Sequence, residues 1–545
     1  MEIKELYNSD EEITVESYLN KHGIENIEEY LHPSGKYLDN CLLYENMKEA
    51  VQAFKWHYLH NDSTYILCDS GDTDGITSTC IMYKYMKKLN PKWNIKILLH
   101  KNKERGLGDE VLFNQIYKEP RPLLIIPDSG TNDKEQVKIL TEEKDITVIV
   151  LDHHSLNTPI EQGILVNNQI GNIDHCGSGC VVTHKFLQAL DLEFDKRYSK
   201  EFIDLVALSI ISDSMDITSL QNRTYLYFGI FKPNILIKNN FLRTLINKFT
   251  FTNNLTIRDL VFKIIPKLNA ICRCGEQDIK QRMILAFLDM DNIEEVAEIC
   301  KEYHIKQAEY VNNFIIENKN KIDDSNNIII YSGQIKPSFN GLIAGKFTDI
   351  FNKPCVVGVE KDNAIMGSLR SPVDIYDYIN ESGLAVLQGH HKACGTIIPK
   401  ENINALYDLI NTLDFSCLTN EIEVLKSYYT SEIPKNMFNM FNELNLWDTK
   451  FLPKPLFHIK GIEIKGKDIA IMKEKHLKFK YKDVEFIYFN ANKELREKLL
   501  NKKNLNLEVI GALSINEWKG KKTNQVIIQD LEIQENKEKG MEEIF

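Results

Sequence analysis

The sequence predicts an α/β protein: two α/β lobes joined by a long helix, followed by a small C-terminal β-barrel. Three observations predict it. TYILCD, NIKILLH, PLLIIPD and ITVIVLD are short apolar runs separated by helical segments at 76–88 and 107–118, the alternation of a parallel sheet. Ile293, Val296, Cys300, Tyr303, Gln307, Tyr310, Val311 and Phe314 keep a helical spacing through about 293–320. Residues 456–533 are rich in β-runs, with the turn WKGKK between two of them.

Taken in order, residues 1–60 read as a helical segment, with an apolar rhythm through Leu42, Met47, Val51 and Phe54. Residues 61–235 form the first α/β lobe, and 236–326 a helical connector. Residues 327–415 form the second lobe, with strands NIIIYS, CVVGVE and AIMGSLR. A linker at 416–455 leads to a barrel of the OB type at 456–533 and an acidic tail at 534–545. There is no internal repeat.

The net charge of −12 excludes a uniformly basic nucleic-acid coat, but allows Lys and Arg to concentrate in one groove while carboxylates elsewhere hold metals. The N-terminus is acidic without an apolar core, and no stretch approaches the apolar length of a membrane span. The eleven cysteines are scattered, which suits reduced thiols in a cytoplasmic protein.

The chemistry concentrates at strand ends. Asp69, Asp128 and Asp152 each end an apolar run, and sites in open α/β sheets form at the carboxyl ends of strands. Asp72-Thr73-Asp74-Gly75 sets two carboxylates one residue apart in a strand-to-helix turn; alone, it reads more readily as an Asx-turn with a helix cap. Asp152-His153-His154 closes the fourth run, and one imidazole there can ligate a metal while a carboxylate orients it. Asp213 ends the apolar run LVALSII. Carboxylates and a His delivered by successive elements of one sheet make a hard site, suited to Mn²⁺ or Mg²⁺ and not to a thiolate zinc centre. Two such ions bridged by a carboxylate are one solution for phosphate-ester hydrolysis. Cys272-Arg273-Cys274 lacks the partner pair that a zinc site needs. Gly177-Ser178-Gly179 before a helix can cradle a phosphate on its amides.

DTDG, PDSG, DHH and ISD, in this order, resemble the motifs of the DHH phosphoesterases. IIPKLNAICRCG, MGSLRS, QGHHKACG and NEWKGKKTNQVIIQDLEI narrow the resemblance to the RecJ-like single-strand DNA exonucleases, with a DHH lobe, a DHHA1 lobe and an OB domain. The likeness spans the chain except its tail. It departs from the family pattern at Cys68 and Ser70, where a His or an Asp is usual, at Cys272 in place of Gly, and at Gln388 in place of the first Gly of Gly-Gly-His.

The resemblance implies two divalent cations. Asp72 would hold the first, with Asp69 an additional candidate; Asp74, His153 and Asp213 would hold the second, and Asp128 would bridge them. Asp152 would support the site, and His154 would face the scissile phosphate as electrophile or proton donor. Arg273, Arg370, Ser371 and His390, with Asn269 and the Gly177-Ser178-Gly179 loop, would hold the strand's phosphates. Trp518, Lys519, Lys521 and Lys522 would contact DNA from the OB domain, where Phe479, Tyr481, Phe486 and Tyr488 are shared between core and stacking surface. The implied activity is 5′→3′ hydrolysis of single-stranded DNA to 5′-mononucleotides. The alternatives are a DHH-type phosphodiesterase for oligonucleotides or cyclic dinucleotides, and a catalytically weakened DNA-binding scaffold. The tail, ending GMEEIF, reads as an ordinary solvated segment or as a docking tip for a single-strand-binding protein or another replication or recombination partner.

Overall fold

The fold was analysed in a computed structural model. The structure describes residues 2–60, 62–100, 106–118, 121–250, 255–413, 422–441, 451–473, 475–518 and 521–534. The chain divides into two compact units, one made of residues 1–31 with 419–545, the other of residues 32–418.

Strand β1 (Ile3–Glu5) belongs to the first of these units and is taken up below. In the larger unit, β2 (Thr64–Cys68), β3 (Ile95–Leu99), β4 (Leu123–Pro127), β5 (Thr147–Asp152) and β6 (Ile164–Asn167) form an all-parallel sheet in the order β3-β2-β4-β5-β6. All five residues of β2 and of β4 are buried, as both-faced helical cover requires. The chain runs from β2 outward to β3, then crosses back to β4 on the other side of β2. That reversal opens a crevice at the carboxyl ends of β2 and β4, where Asp69 and Asp128 stand. The four predicted strands are present, and β6 joins them; its run is too short for periodicity to mark.

Helix Thr73–Leu89 follows β2 directly. Asp72 is its N-cap, accepting from Gly75 N–H at 3.2 Å, and its first turns are buried. Gly75 is required by space: a Cβ there would lie 2.1 Å from the Asp69 carbonyl oxygen. Helices Gly179–Phe194 and Ile203–Ser212 pack on Thr73–Leu89, and the second ends at Asp213. The long helix runs Ile293–Asn318, with Asn292 as its N-cap, and packs against both helix Ile265–Cys274 and helix Asn340–Phe351.

The second sheet holds β7 (Ile329–Ser332), β8 (Cys355–Lys361), β9 (Ala364–Arg370), β10 (Val386–His390) and β11 (Ala393–Pro399), in the order β10-β11-β9-β8-β7. Only β7 and β8 are parallel. The QGHHKACG motif is thus a hairpin, a feature the three expected strands of this lobe did not include.

In the smaller unit, β12 (Ile422–Val424) pairs in parallel with β1. Strands β13 (Ser427–Tyr429), β14 (Phe457–Ile464), β15 (Ala470–Met472), β16 (His476–Tyr481), β17 (Val484–Tyr488), β18 (Leu505–Trp518) and β19 (Lys521–Gln534) form a sheet in the order β13-β14-β18-β19-β17-β16-β15. Two expectations need correction. The N-terminal segment is not a purely helical piece: residues 1–31 contribute β1 and belong with the C-terminal unit. The stretch 416–455 is not only a linker, because β12 and β13 lie in it. Both are three-residue strands, too short to show alternation in sequence. The tail beyond 534, like Lys519, lies outside the described residues. Among the described residues no helix is long and apolar enough to cross a membrane.

Gly75→Ala tests the closeness of helix and strand. Overpacking of this kind costs about 1–3 kcal/mol, and the contact is with backbone that cannot swing away. Urea denaturation should therefore give a lower midpoint with an unchanged m-value.

Candidate metal centre

Five elements of the larger unit deliver acids to one place. Asp69 follows β2, Asp128 follows β4, Asp152 ends β5, and Asp213 caps helix Ile203–Ser212. Asp74 comes from the first turn of helix Thr73–Leu89. His153 Nε2 stands amid them, 3.3 Å from Asp128 Oδ1, 3.5 Å from Asp213 Oδ2 and 4.0 Å from Asp74 Oδ2. Donor atoms of Asp74, His153 and Asp213 all lie within 4.8 Å of one another, as do those of Asp128, Asp152, His153 and His154.

Each carboxylate is held by its own neighbours. Asp74 accepts from Gly179 N–H at 2.9 Å, Cys180 N–H at 3.0 Å and the Ser209 hydroxyl at 2.6 Å. Ser178 and Ser209 share a short hydroxyl–hydroxyl bond beside it. Asp128 adopts φ 64°, and its side chain lies so close to the next helix that a Cβ on Gly179 would fall 2.2 Å from Oδ1. Asp152 accepts from His153 N–H at 2.8 Å and Thr131 N–H at 3.1 Å, and its Oδ1 is 2.7 Å from His154 Nδ1. Asn167 ties the same corner, donating to the His154 carbonyl and to the Thr131 hydroxyl.

This crowding shows in the proton affinities. Burial, and then the charge of Asp72, raises Asp74 to about 6 against the donors that oppose the shift. Burial, followed by Asp74, Asp72 and Asp69, pushes Asp128 well above the usual carboxylate range. Asp152 goes the other way: burial acts upward, but the charge and hydrogen bond of His154 outweigh it and hold the group low. Asp128 Oδ1 is buried without a hydrogen-bond donor. Clustered carboxylates that resist ionising together, an orphaned carboxylate oxygen and an imidazole are the donor set that a hard divalent cation satisfies, so these residues fit Mn²⁺ or Mg²⁺.

Other expected site residues fall into two groups. Asp72 and Asp69 flank the centre, and Asp69 Oδ1 accepts from Gly71 N–H at 2.9 Å. Burial, and in the same direction the charge of Arg273, lowers the proton affinity of the Arg370 guanidinium. It lies against Gly341, where an added Cβ would meet Nη2 at 2.6 Å. Asn340 beside it keeps a buried Oδ1 with no donor.

The second group is turned to other work. Asn269 Oδ1 accepts from both the amide (3.2 Å) and the hydroxyl (2.7 Å) of Thr73, so that oxygen grips the DTDG turn. The Ser371 hydroxyl accepts from Val373 N–H at 3.2 Å within its own turn. In the Gly177-Ser178-Gly179 loop, the expected phosphate cradle is replaced by a carboxylate cradle, because the first helical amides are spent on Asp74. His390 is placed as the last residue of β10.

Of the OB aromatics, Phe479 and Phe486 are buried and stacked at 5.0 Å, while Tyr481 and Tyr488 are half-buried. Trp518, the last residue of β18, pairs in register with Lys521, the first of β19, and Lys521 and Lys522 are exposed.

Sequence reasoning missed Ser209, Thr131, Asn167 and Lys280. Ser209 had a signal, since it stands four residues before Asp213 on one helical face. Lys280 had none: its Nζ donates at 3.2 Å to Ser70, 210 residues away in the chain.

Comparison with known proteins agrees with this geometry. Residues 63–210 match the N-terminal domain model of the DHH family, and residues 429–530 match the RecJ OB domain. The prophage protein YorK of Bacillus subtilis (strain 168), described as a single-strand DNA-specific exonuclease, is 28% identical over 98% of this chain and 98% of its own length. The single-stranded-DNA-specific exonuclease RecJ of the same organism is 23% identical over 96% of this chain and 68% of its own. The crystal structure of Thermus thermophilus RecJ in complex with Mn²⁺ superposes with a TM-score of 0.76 at 19% identity, covering 98% of this chain and 79% of that one. The chain is thus similar to the RecJ single-strand DNA exonucleases, with a DHH-family match over residues 63–210, which carry Asp69, Asp74, Asp128 and His153 and stop just short of Asp213, and a RecJ OB match over residues 429–530.

Proposed function

We propose that this chain is a divalent-metal-dependent exonuclease that degrades single-stranded DNA from the 5′ end and releases 5′-mononucleotides. The observation that carries the reading is the convergence of Asp74, Asp128 and Asp213 on His153 Nε2, with the Asp152–His154 pair alongside. The substrate class is supported by the relatives' descriptions as single-strand DNA-specific exonucleases, and the polarity by the RecJ resemblance alone.

In this reading Asp74, Asp128, His153 and Asp213 hold one cation, and Asp69, Asp72 and Asp128 a second. Bound there, divalent ions supply Lewis acidity toward a phosphoryl oxygen and acidify the attacking water. The chain's own residues do the rest. Gly179, Cys180 and Ser209 fix the Asp74 carboxylate, so it need not reorganise during reaction. Asp152 anchors His154 through Nδ1 and leaves Nε2 to face the scissile phosphate and protonate the departing oxygen. Arg273 and Arg370, whose charges act on one another, would draw in a strand phosphate. Exposed Lys521 and Lys522 at the start of β19 would neutralise phosphates of the strand. Degradation of end-labelled single strands carrying a 5′ or a 3′ block tests the reading directly; digestion that a 3′ block stops and a 5′ block spares would overturn the polarity.

Asp128→Asn should reduce Mn²⁺-dependent hydrolysis to background while single-strand binding persists in a gel-shift assay with chelator. Cleavage at the wild-type rate would remove Asp128 from the site. His154→Ala should lower kcat by about 10²–10⁴-fold, the usual worth of a general acid, and leave Mn²⁺ affinity unchanged in a calorimetric titration. Changing Lys521 and Lys522 to Glu should weaken long single strands more than tetranucleotides. For every phosphate that is no longer neutralised, the slope of log affinity against log salt should fall by about 0.7. An unchanged affinity at every length would remove Lys521 and Lys522 from the DNA contacts.

A further inference from the structure

Lys280 lies on helix Gln277–Phe287 and is only 6% exposed, yet among the described residues it makes no ion pair. Its Nζ donates to the Ser70 hydroxyl at 3.2 Å, and Ser70 is itself 1% exposed. Burying an ammonium is costly unless opposite charge lies near, and three N–H donors meet one hydroxyl here. The opposite charge comes from the turn that Ser70 belongs to. Asp69 precedes it and Asp72 follows two residues on; the Cys272 thiol, 3% exposed, feels Asp72, Lys280, Arg273 and Asp69 together. The ammonium therefore shares one pocket with the carboxylates assigned above to the second cation. The other cluster, Asp74, Asp128, His153 and Asp213, draws its fixed partners from the helix Gly179–Phe194 amides and Ser209, with no lysine among them.

Resting on the metal reading above, we propose that Lys280 is a built-in cation that makes the two metal positions unequal. The position at Asp74, Asp128, His153 and Asp213 retains its ion. The position at Asp69 and Asp72, already partly neutralised by the ammonium, binds a divalent ion weakly and fills when a phosphate anion arrives to offset the added charge. Ser70 holds the ammonium at the edge of the site, so Lys280 acts as a positioning residue for charge and touches neither substrate nor metal.

The experiment is a Mn²⁺ titration of the full chain after removal of metals by chelator, followed by calorimetry and by the electron paramagnetic resonance signal of free Mn²⁺. It is run with and without thymidine 5′-monophosphate. The wild type should take up one ion tightly and a second at least tenfold more weakly, with the nucleotide closing that gap. Lys280→Met, which keeps length and apolar packing, should tighten the second ion at least tenfold and leave the first unchanged. Should that variant fold poorly by circular dichroism, Lys280→Gln retains a donor for Ser70 and should do the same, whereas Lys280→Arg retains charge and should behave as wild type. Two ions of equal affinity in the wild type would overturn the proposal, as would Gln and Arg variants with the same second affinity. Those results leave the metal reading intact; a wild-type chain that binds no Mn²⁺ would overturn both.

Discussion

The rest of the centre depends on how the Asp74 carboxylate is held. A buried carboxylate beside Asp72 and Asp128 would favour its protonated form or push the turn apart. Instead it is tied to the N-terminal amides of helix Gly179–Phe194 and to Ser209 of helix Ile203–Ser212. A helix N-terminus is a standing positive potential, so this bond joins electrostatics to packing. It fixes helix Thr73–Leu89 against two others, and through Gly179 it brings the backbone close enough for Asp128 to reach the same point. The sheet sets where the acids begin, and these amides set where they end.

On the other side of the centre the same problem has a different solution. Asp152 is stabilised by amides and by an imidazole, so its charge is secured before any cation binds. Asp128 has the His153 imidazole 3.3 Å away but, among the described residues, its Oδ1 accepts no hydrogen bond. One acid is thus built to stay charged and hold a histidine, and the other to wait for a positive partner. The contrast arises from residues at corresponding ends of adjacent strands, β4 and β5.

Much of this was legible in the sequence for a physical reason: the runs ending at Asp69, Asp128 and Asp152 are buried strands, and the carboxyl ends of parallel strands share an edge. The identity of the acids therefore followed from local pattern plus one topological rule. What was not legible depends on long-range contacts. The amides of Gly179 and Cys180 look like a phosphate cradle in one dimension, and only the fold shows that Asp74 occupies them. Asn269 looks like a substrate contact until Thr73 is seen to use its oxygen. Lys280 and Ser70 carry no mutual signal across the chain. Short strands such as β1, β12 and β13 were hidden for a simpler reason, since three residues cannot display a period of two.

The parallel pairing of Ile3–Glu5 with Ile422–Val424 has a consequence for the order in which the molecule can be assembled. During synthesis the first partner is made long before the second, and at about 5–20 residues per second the interval is roughly 20–80 s. Throughout that time the 32–418 unit can fold as its own segments appear, while β1 waits for its strand partner with an unpaired edge. Its brevity and its charged residues, Lys4 and Glu5, then serve as protection: a three-residue, polar edge is a poor template for association with other nascent chains. The smaller unit therefore closes on a strand made some four hundred residues before its partner.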